Sequence, residues 1–412
     1  MAASLAAPCS VSAAEKTTLT FWHAMGGTNG EVLQQIVDDF NASQDEIEIK
    51  AEYQGTYDDT ITKLKAAMQS DSGLPDVCQM YDVGTKFMYD SGAVIPVEDK
   101  FESTGYDKSS VMEVISSYYT VDGKQYAMPF NVSTPMLYYN KDVFEAAGLD
   151  PETPPTTYDE VLEDAKKIVE SGAAPVGYSQ AIYGWFFEQQ LAGLGVTYGN
   201  NDNGRKEAVT AVDFDSNGGG LKVFDMWKKL YDSGYFEDYG TTTADTQTAF
   251  FSGQVGMIIE STAILKNAVD SSPFEVGTGY LPRIEQNDEG GVIIGGGSLW
   301  LTDTGNEANE DAAWKFIEYI TTPDVQAKWS MGTGYFAINE KAYETEDMKA
   351  YLKENPNFET AINQLKDSPV NCNTAGVLSG VQTEARLTFN EIMPQVYDGK
   401  LTTQDAVDQL AA

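Results

Sequence analysis

The chain has 412 residues, with 26 Lys and Arg against 63 Asp and Glu, so its formal net charge is −37 with the single histidine neutral. That balance excludes a nucleic-acid binder, which needs a basic face to displace counterions from phosphates, and a peripheral membrane protein, which needs Lys or Arg beside its apolar face. At about 100 to 200 residues per domain the length allows two or three domains, and 42% hydrophobic with 22% charged residues is the composition of an ordered globular chain.

No apolar stretch reaches the ~18 residues needed to span a bilayer. The opening MAASLAAPCSVSAAEK is small and apolar, ends in Val11-Ser12-Ala13-Ala14, and looks like the last part of a secretion signal with an A-x-A-like cleavage site, although a basic leading region is missing. Residues 1–14 are therefore set aside as the remnant of a secretion signal or tether. Cys9 is a candidate lipoprotein cysteine, opposed by Pro8 where such a signal wants Gly or Ala. The expectation is an exported protein, periplasmic or extracellular. Cys78 and Cys372 either pair as a disulfide or, as a Cys in an apolar strand usually does, serve as small buried hydrophobes. With no CxxC, no Cys/His cluster and only His23, neither a metal site nor a cofactor is expected.

In chain order, TTLTFWH at 17–23 reads as a strand. Val32, Leu33, Ile36, Val37 and Phe40 then recur at helical spacing behind Asn29 as a possible cap. Ile47, Ile49, Ala51 and Tyr53 alternate with charged residues as a half-buried strand does. A second helix (Ile61, Leu64, Ala67, Met68) and a strand at 75–81 extend this β-α-β alternation into an α/β unit. YAMPFNVSTPMLYYNKD at 126–142 is apolar with a polar break, and reads as a crossing between domains. Thr157 and Glu160 form a capping box before a helix carrying Val161, Leu162, Ala165, Ile168 and Val169. GQVGMIIES and IIGGGSLWLT read as buried strands, a helix is expected at about 310–321, ending near Pro323, and the last segment is mostly helical with Arg386 on a neutral stretch. No internal repeat stands out.

Catalytic motifs are scarce. A Ser-His-Asp arrangement would rest on His23 alone, and there is no GxSxG elbow, Walker loop or GxGxxG after a strand. Paired carboxylates among 63 acids leave a glycoside hydrolase open on composition. Taken singly, Tyr57 and Tyr335 read as core aromatics, Ser133 and Ser261 as strand-end residues, Asp82 as a cap for a helix near Thr85, and Arg386 as a surface residue in a weak ion pair. His23 reads as structural, Trp22, Trp300, Trp314 and Trp329 as packing or hinge residues, and Trp227 as core.

The motifs FWHAMGG (21–27), DDFNASQ (38–44), YQGTYDDT (53–60), MYDVGT (80–85), PFNVSTPMLYYNKDVFEAAGLDPETPPTTYDEV (129–161), IIGGGSLW (293–300) and TGYFAIN (333–339) change that weighting. Together they resemble the extracellular solute-binding proteins of ABC importers, the maltose-binding-like group, over nearly the whole chain. FNVSTPMLYYNKD with IIGGGSLW resembles its glycerol-phosphate branch. The resemblance implies a type II periplasmic-binding-protein-like α/β fold, two lobes joined by a three-segment hinge with the ligand cleft between them. The lobes are expected at 15–131 plus 298–334 and at 132–297 plus 335–412.

Carried over by position, the resemblance places Tyr57 and Asp82 on glycerol hydroxyls. It places Ser133, Ser261, Gly296, Tyr335 and Arg386 around a phosphate, and Trp185 as a stacking ring. Two departures follow: Asp82 stands where the branch has Glu, and Ile182 where it has a second Trp, with Tyr183 as a partial replacement. They imply a bulkier glycerophosphodiester such as glycerophosphocholine in preference to sn-glycerol 3-phosphate. The expected protein is a non-enzymatic, monomeric receptor that hands a phosphorylated polyol to the permease's transmembrane subunits. A receptor for neutral oligosaccharide is the alternative within the class.

Overall fold

The computed structural model describes residues 16–70 and 73–412; the signal-like segment and Cys9 lie outside the described residues. The strands are β1 (Thr17–His23), β2 (Ile47–Tyr53), β3 (Val77–Tyr81), β4 (Val94–Ile95), β5 (Thr120–Val121), β6 (Lys124–Gln125), β7 (Met128–Ser133), β8 (Pro135–Asn140), β9 (Val176–Ser179), β10 (Val255–Ser261), β11 (Val276–Gly279) and β12 (Gly295–Thr302). One mixed sheet runs β2-β1-β3-β12-β4 with β7 also on β12, and a second runs β11-β8-β10-β9. β1 is parallel to β2 and β3, and β12 runs antiparallel to β3, β4 and β7.

These elements follow from their side chains. β2 buries Ile47 and Ile49 and leaves the intervening charges outward, and the Gly27–Ser43 helix buries Leu33, Ile36, Val37 and Phe40 on one face. Asn29 is not its cap: the capping position is Gly26, three residues earlier, and Gly27 takes a left-handed φ of 53° that a residue with a Cβ would resist. The Thr157/Glu160 capping box is present as read. The helix expected from 310 starts at Glu307, with the Asn306 side chain accepting from Asn309 N–H, and Pro323 opens the next helix (Pro323–Thr333) at its first turn, where its missing N–H costs nothing.

The chain passes from the first sheet to the second at Ser133-Thr134-Pro135, between β7 and β8, and returns ahead of β12. It comes back beside the first crossing where Phe336 N–H donates to Val132 O at 2.9 Å. Thr134 is locked to Thr262 in both directions, backbone to side chain at 3.1 Å and backbone to backbone at 2.8 Å. Leu19, Phe21, Phe40, Trp300 and Phe316 pack under the first sheet, and Leu137, Tyr178, Phe187, Trp227 and Phe389 under the second. Cys78 is buried and Cys372 half-buried, and both are free thiols, so they are not bonded to each other.

Arg205, half-buried where the halves meet, has no anionic partner among the described residues. Asn201, Asp202 and Asn203 adopt φ of 57°, 55° and 58°, a run of left-handed residues of the types that tolerate it best. Asn203 holds the turn by accepting from Tyr198 and Gly199 N–H and donating to Cys372 O. The turn delivers Arg205, whose guanidinium donates to the carbonyls of Tyr118 (2.8 Å), Gly376 (3.1 Å) and Ala375 and lies over the Tyr118 ring. Burial lowers its pKa to about 10. Arg205→Met should strand these carbonyls without donors and destabilise the fold by roughly 2 to 4 kcal/mol, measured as a lower urea midpoint at unchanged m-value.

His23 is buried at the end of β1, its Nδ1 accepting from Met25 N–H at 3.3 Å, and burial lowers its pKa to about 4. Its unfolded value lies near 6.5, so the unfolded chain binds this proton first and stability falls as pH drops from about 6.5 to 4. His23→Gln should remove up to roughly 3 kcal/mol of that loss, seen by comparing urea midpoints of both proteins at pH 7 and pH 4.5.

Candidate functional site

Most of the sequence-predicted residues converge on the seam between the two sheets. On the first side, Tyr57 opens the Tyr57–Met68 helix and stacks on Tyr81, with centroids 5.2 Å apart and planes 6° from parallel. Its hydroxyl accepts from Asn131 Nδ2 at 2.7 Å. Asn131 Oδ1 accepts from Gln79 Nε2 at 2.7 Å, and Gln79 Oε1 from Ala24 N–H at 2.8 Å. Asn131 and Gln79 are fully buried, so this chain of amides fixes Tyr57 from behind. Tyr335 stacks on Trp329 (5.7 Å, 7°); burial raises its hydroxyl pKa, while Asn131 and Tyr57 act against that shift.

Gly296 has φ of 90°, and a Cβ built there would lie 1.9 Å from the Asn131 carbonyl oxygen. On its Cβ side the space is taken by the chain's own β7, at the register shift between β7 and β12, so only glycine fits here. Ser133, buried at the end of β7, pairs with Gly295, where a Cβ would come within 2.7 Å of Trp185 Cζ2.

The second side is the Gly184–Gly193 helix, buried from Gly184 to Ala192. A helix apolar all round must satisfy any polar residue it carries, and Glu188, Gln189 and Gln190 each have partners. Gln189 pairs with both backbone groups of Ile293, and Gln190 with Tyr158 and Trp227. Glu188 receives Arg386 Nε at 2.7 Å and Nη2 at 2.8 Å, and Gln382 Nε2 at 2.6 Å. Arg386 Nη2 also donates to Asp82 Oδ2 at 2.6 Å, joining the turn after β3 to the Gln382–Tyr397 helix. Beside it, Tyr81 OH lies 3.3 Å from Thr383 Oγ1.

Asp82, Glu188 and Arg386 are 5%, 5% and 7% exposed, so Arg386 is a buried bridge and not the surface residue its local sequence suggests, and Asp82 caps no helix. Burial works against the guanidinium's charge, but Asp82 and Glu188 outweigh it and hold Arg386 well above its ordinary range. Its Nη1 edge makes no hydrogen bond among the described residues. Gly184 makes the bridge possible: a Cβ there would lie 2.5 Å from Arg386 Cα, so the two helices cross in near contact.

Trp185, next in sequence, is 5% exposed and its Nε1–H has no acceptor among the described residues. Tyr183 leans on Trp185, ring centroids 6.1 Å apart. Two predicted residues make their contacts elsewhere. Ile182 is fully buried in the second core with its N–H on Gly240 O, and the Ser261 side chain accepts from Ala263 N–H as the cap of a short turn. Glu188, Gln382 and Asn131 were not singled out from sequence. Three consecutive polar residues inside an aromatic helix, with Arg386 on an otherwise neutral stretch, were the available signal.

Two α/β halves with crossings between their sheets, closing on a polar and aromatic seam, define a two-lobed receptor for a small ligand. The bacterial extracellular solute-binding protein family matches residues 35–360, and the chain belongs to it. It is 31% identical over 399 residues, 95% of this chain and 90% of the relative, to the sn-glycerol-3-phosphate-binding periplasmic protein UgpB of Escherichia coli K12. The same identity extends over 97% of this chain and 92% of the UgpB of Yersinia pseudotuberculosis. The fold is that of the type II periplasmic binding proteins. It superposes on UgpB of Mycobacterium tuberculosis in complex with glycerophosphocholine (TM-score 0.81, 20% identity, 96% and 97% of the chains). It does so equally on a cyclic alpha-maltosyl-1,6-maltose binding protein of Arthrobacter globiformis (0.80, 25%, 96% and 97%). Among the described residues no helix is long and apolar enough to cross a membrane.

Gly296→Ala should lose about 2 kcal/mol or more, because strain at positive φ adds to a contact with backbone that cannot yield. Urea unfolding measures it, and an unchanged midpoint would show that β7 shifts to accommodate the methyl group.

Proposed function

We propose that this protein is the exported, monomeric receptor of an ABC importer, capturing a glycerophosphodiester such as glycerophosphocholine, with sn-glycerol 3-phosphate as the smaller relative, and delivering it to the permease subunits. The observations that carry the reading are a buried guanidinium with one open edge and, one residue along from Gly184 where the helices cross, an indole N–H without an acceptor among the described residues. An arginine edge and neutral donors can hold a phosphodiester monoanion without a basic patch. The stacked Tyr57 and the Tyr183/Trp185 pair supply apolar walls for its carbons. Kinship with the glycerol-phosphate receptors supports the same class. The lobe limits 15–131 plus 298–334 and 132–297 plus 335–412 are proposed with it, in keeping with β1–β4 lying in the first sheet and β8–β11 in the second.

A neutral oligosaccharide receptor is the second reading, favoured by the buried carboxylates, which accept from hydroxyls, and by the likeness to a maltosyl-maltose binder. The hydrolase reading loses ground on geometry, because Asp82 and Glu188 are both committed to one guanidinium and not set facing each other across a bond.

Calorimetry with glycerophosphocholine, sn-glycerol 3-phosphate and maltotriose tests the choice: binding of the phosphodiester is expected, and binding of maltotriose alone would overturn the proposal. Trp185→Phe keeps the ring and deletes the donor. It should weaken glycerophosphocholine by roughly 10- to 100-fold, the worth of one hydrogen bond to a charged acceptor, about 1.5 to 3 kcal/mol.

A further inference from the structure

Arg386 is over-neutralised. Asp82 takes one N–H of its Nη2, Glu188 takes Nε and the other N–H of Nη2, and Gln382 fixes Glu188 from behind. Both carboxyl groups lie within salt-bridge distance of the guanidinium, 2.6 and 2.7 Å, and an adjacent fixed cation favours the carboxylate form, so one positive and two negative charges share a site from which water is nearly excluded. The cluster carries a net charge of −1, and only the Nη1 edge of the guanidinium is open. A ligand oxygen can approach along that edge, but any second negative charge on the ligand faces an excess of carboxylate at low effective dielectric.

Asp82 and Arg386 meet Glu188 directly or through the guanidinium, and Tyr198, Tyr118 and Tyr183 feel its charge. One further cation is near: Arg205 lies over the Tyr118 ring, 5.2 Å from its centroid, with its donors taken by backbone carbonyls, so it acts on the cluster only across that ring. Tyr183 also feels Glu260, a further buried carboxyl at the end of β10, held by Gln247 Nε2 at 3.0 Å and the Ser261 N–H at 2.6 Å.

Resting on the glycerophosphodiester reading, we propose that Glu188 is a specificity-determining residue that acts through Arg386 as a charge filter. It admits a phosphodiester monoanion or zwitterion to the open guanidinium edge and disfavours a phosphate monoester dianion. The ligand class is thereby narrowed: phosphate carrying a second ester, and better still a quaternary ammonium to complement the surplus carboxylate.

The test is the affinity ratio of two probes, glycerophosphocholine and sn-glycerol 3-phosphate, measured by calorimetry on the full chain at pH 8.0 for wild type and Glu188→Gln. The substitution keeps the side chain's size and removes one charge, so the filter predicts that the ratio shifts at least tenfold toward the monoester. A loss of packing alone would weaken both probes together and leave the ratio unchanged, and an unchanged or opposite ratio overturns the proposal.

A measurement on wild type alone covers the case in which the variant does not fold. The monoester's second ionisation falls near pH 6 while the diester stays a monoanion. sn-Glycerol 3-phosphate should therefore bind several-fold tighter at pH 5.5 than at pH 8.0, with glycerophosphocholine nearly flat as the control for the protein's own titration. Tighter monoester binding at pH 8.0 overturns the filter and leaves the receptor reading standing. A wild type that binds maltotriose and neither phosphate compound overturns both.

Discussion

A single guanidinium, that of Arg386, ties the two halves together across the seam. Its partners come from opposite sides of the seam, Asp82 after β3 and Glu188 inside the buried Gly184–Gly193 helix. Buried ion pairs of this kind are poor net stabilisers, because desolvating three charges offsets most of their attraction; removing one partner is costly, since it leaves an unpaired charge inside. The arrangement therefore specifies a geometry more than it strengthens the fold. The close helix crossing at Gly184, the Tyr81 and Thr383 contact and the Gln382 support are the conditions that geometry imposes on its neighbours.

The elements were legible wherever a local rule decided them. The period of β2 and the Thr157/Glu160 box translate directly into observed structure, because backbone satisfaction and one-sided burial act within a few residues. The polar break in 126–142 marks the crossing, though β7 runs on to Ser133 and only Thr134 separates it from β8. The helix starts are less so: Asn29 is the better capping residue by type, but the first helix starts behind Gly26, with no side-chain cap and a left-handed Gly27. Family resemblance brought Tyr57, Asp82, Trp185 and Arg386 forward, and these meet at the seam. It said nothing of Glu188, Gln382 or Asn131, whose importance depends on contacts between residues as much as 198 positions apart. Arg205 was hidden for a related reason. In GNNDNGRKE it reads as a solvated loop residue, and its burial follows from carbonyls contributed by two distant segments.

The seam also separates local charge from total charge. The net charge of −37 belongs to a scattered, solvent-screened surface. Inside the seam the balance is set by three side chains at fixed distances, and changing one of them alters the field more than a handful of surface acids could. Glycines serve the same local end: the three at 295–297 let β12 meet Asn131 and the Trp185 indole closely enough for the two lobes to share one packed surface.

The left-handed turn at 201–203 and the arginine it carries bear on how such a molecule moves. A carboxylate partner would clamp Arg205 in one fork geometry, whereas carbonyl oxygens are weaker, broader acceptors that can be exchanged one for another. Arg205 has several within reach, on segments from both halves. A guanidinium with interchangeable acceptors can release one carbonyl while keeping the rest, so small shifts between the two segments leave its charge satisfied.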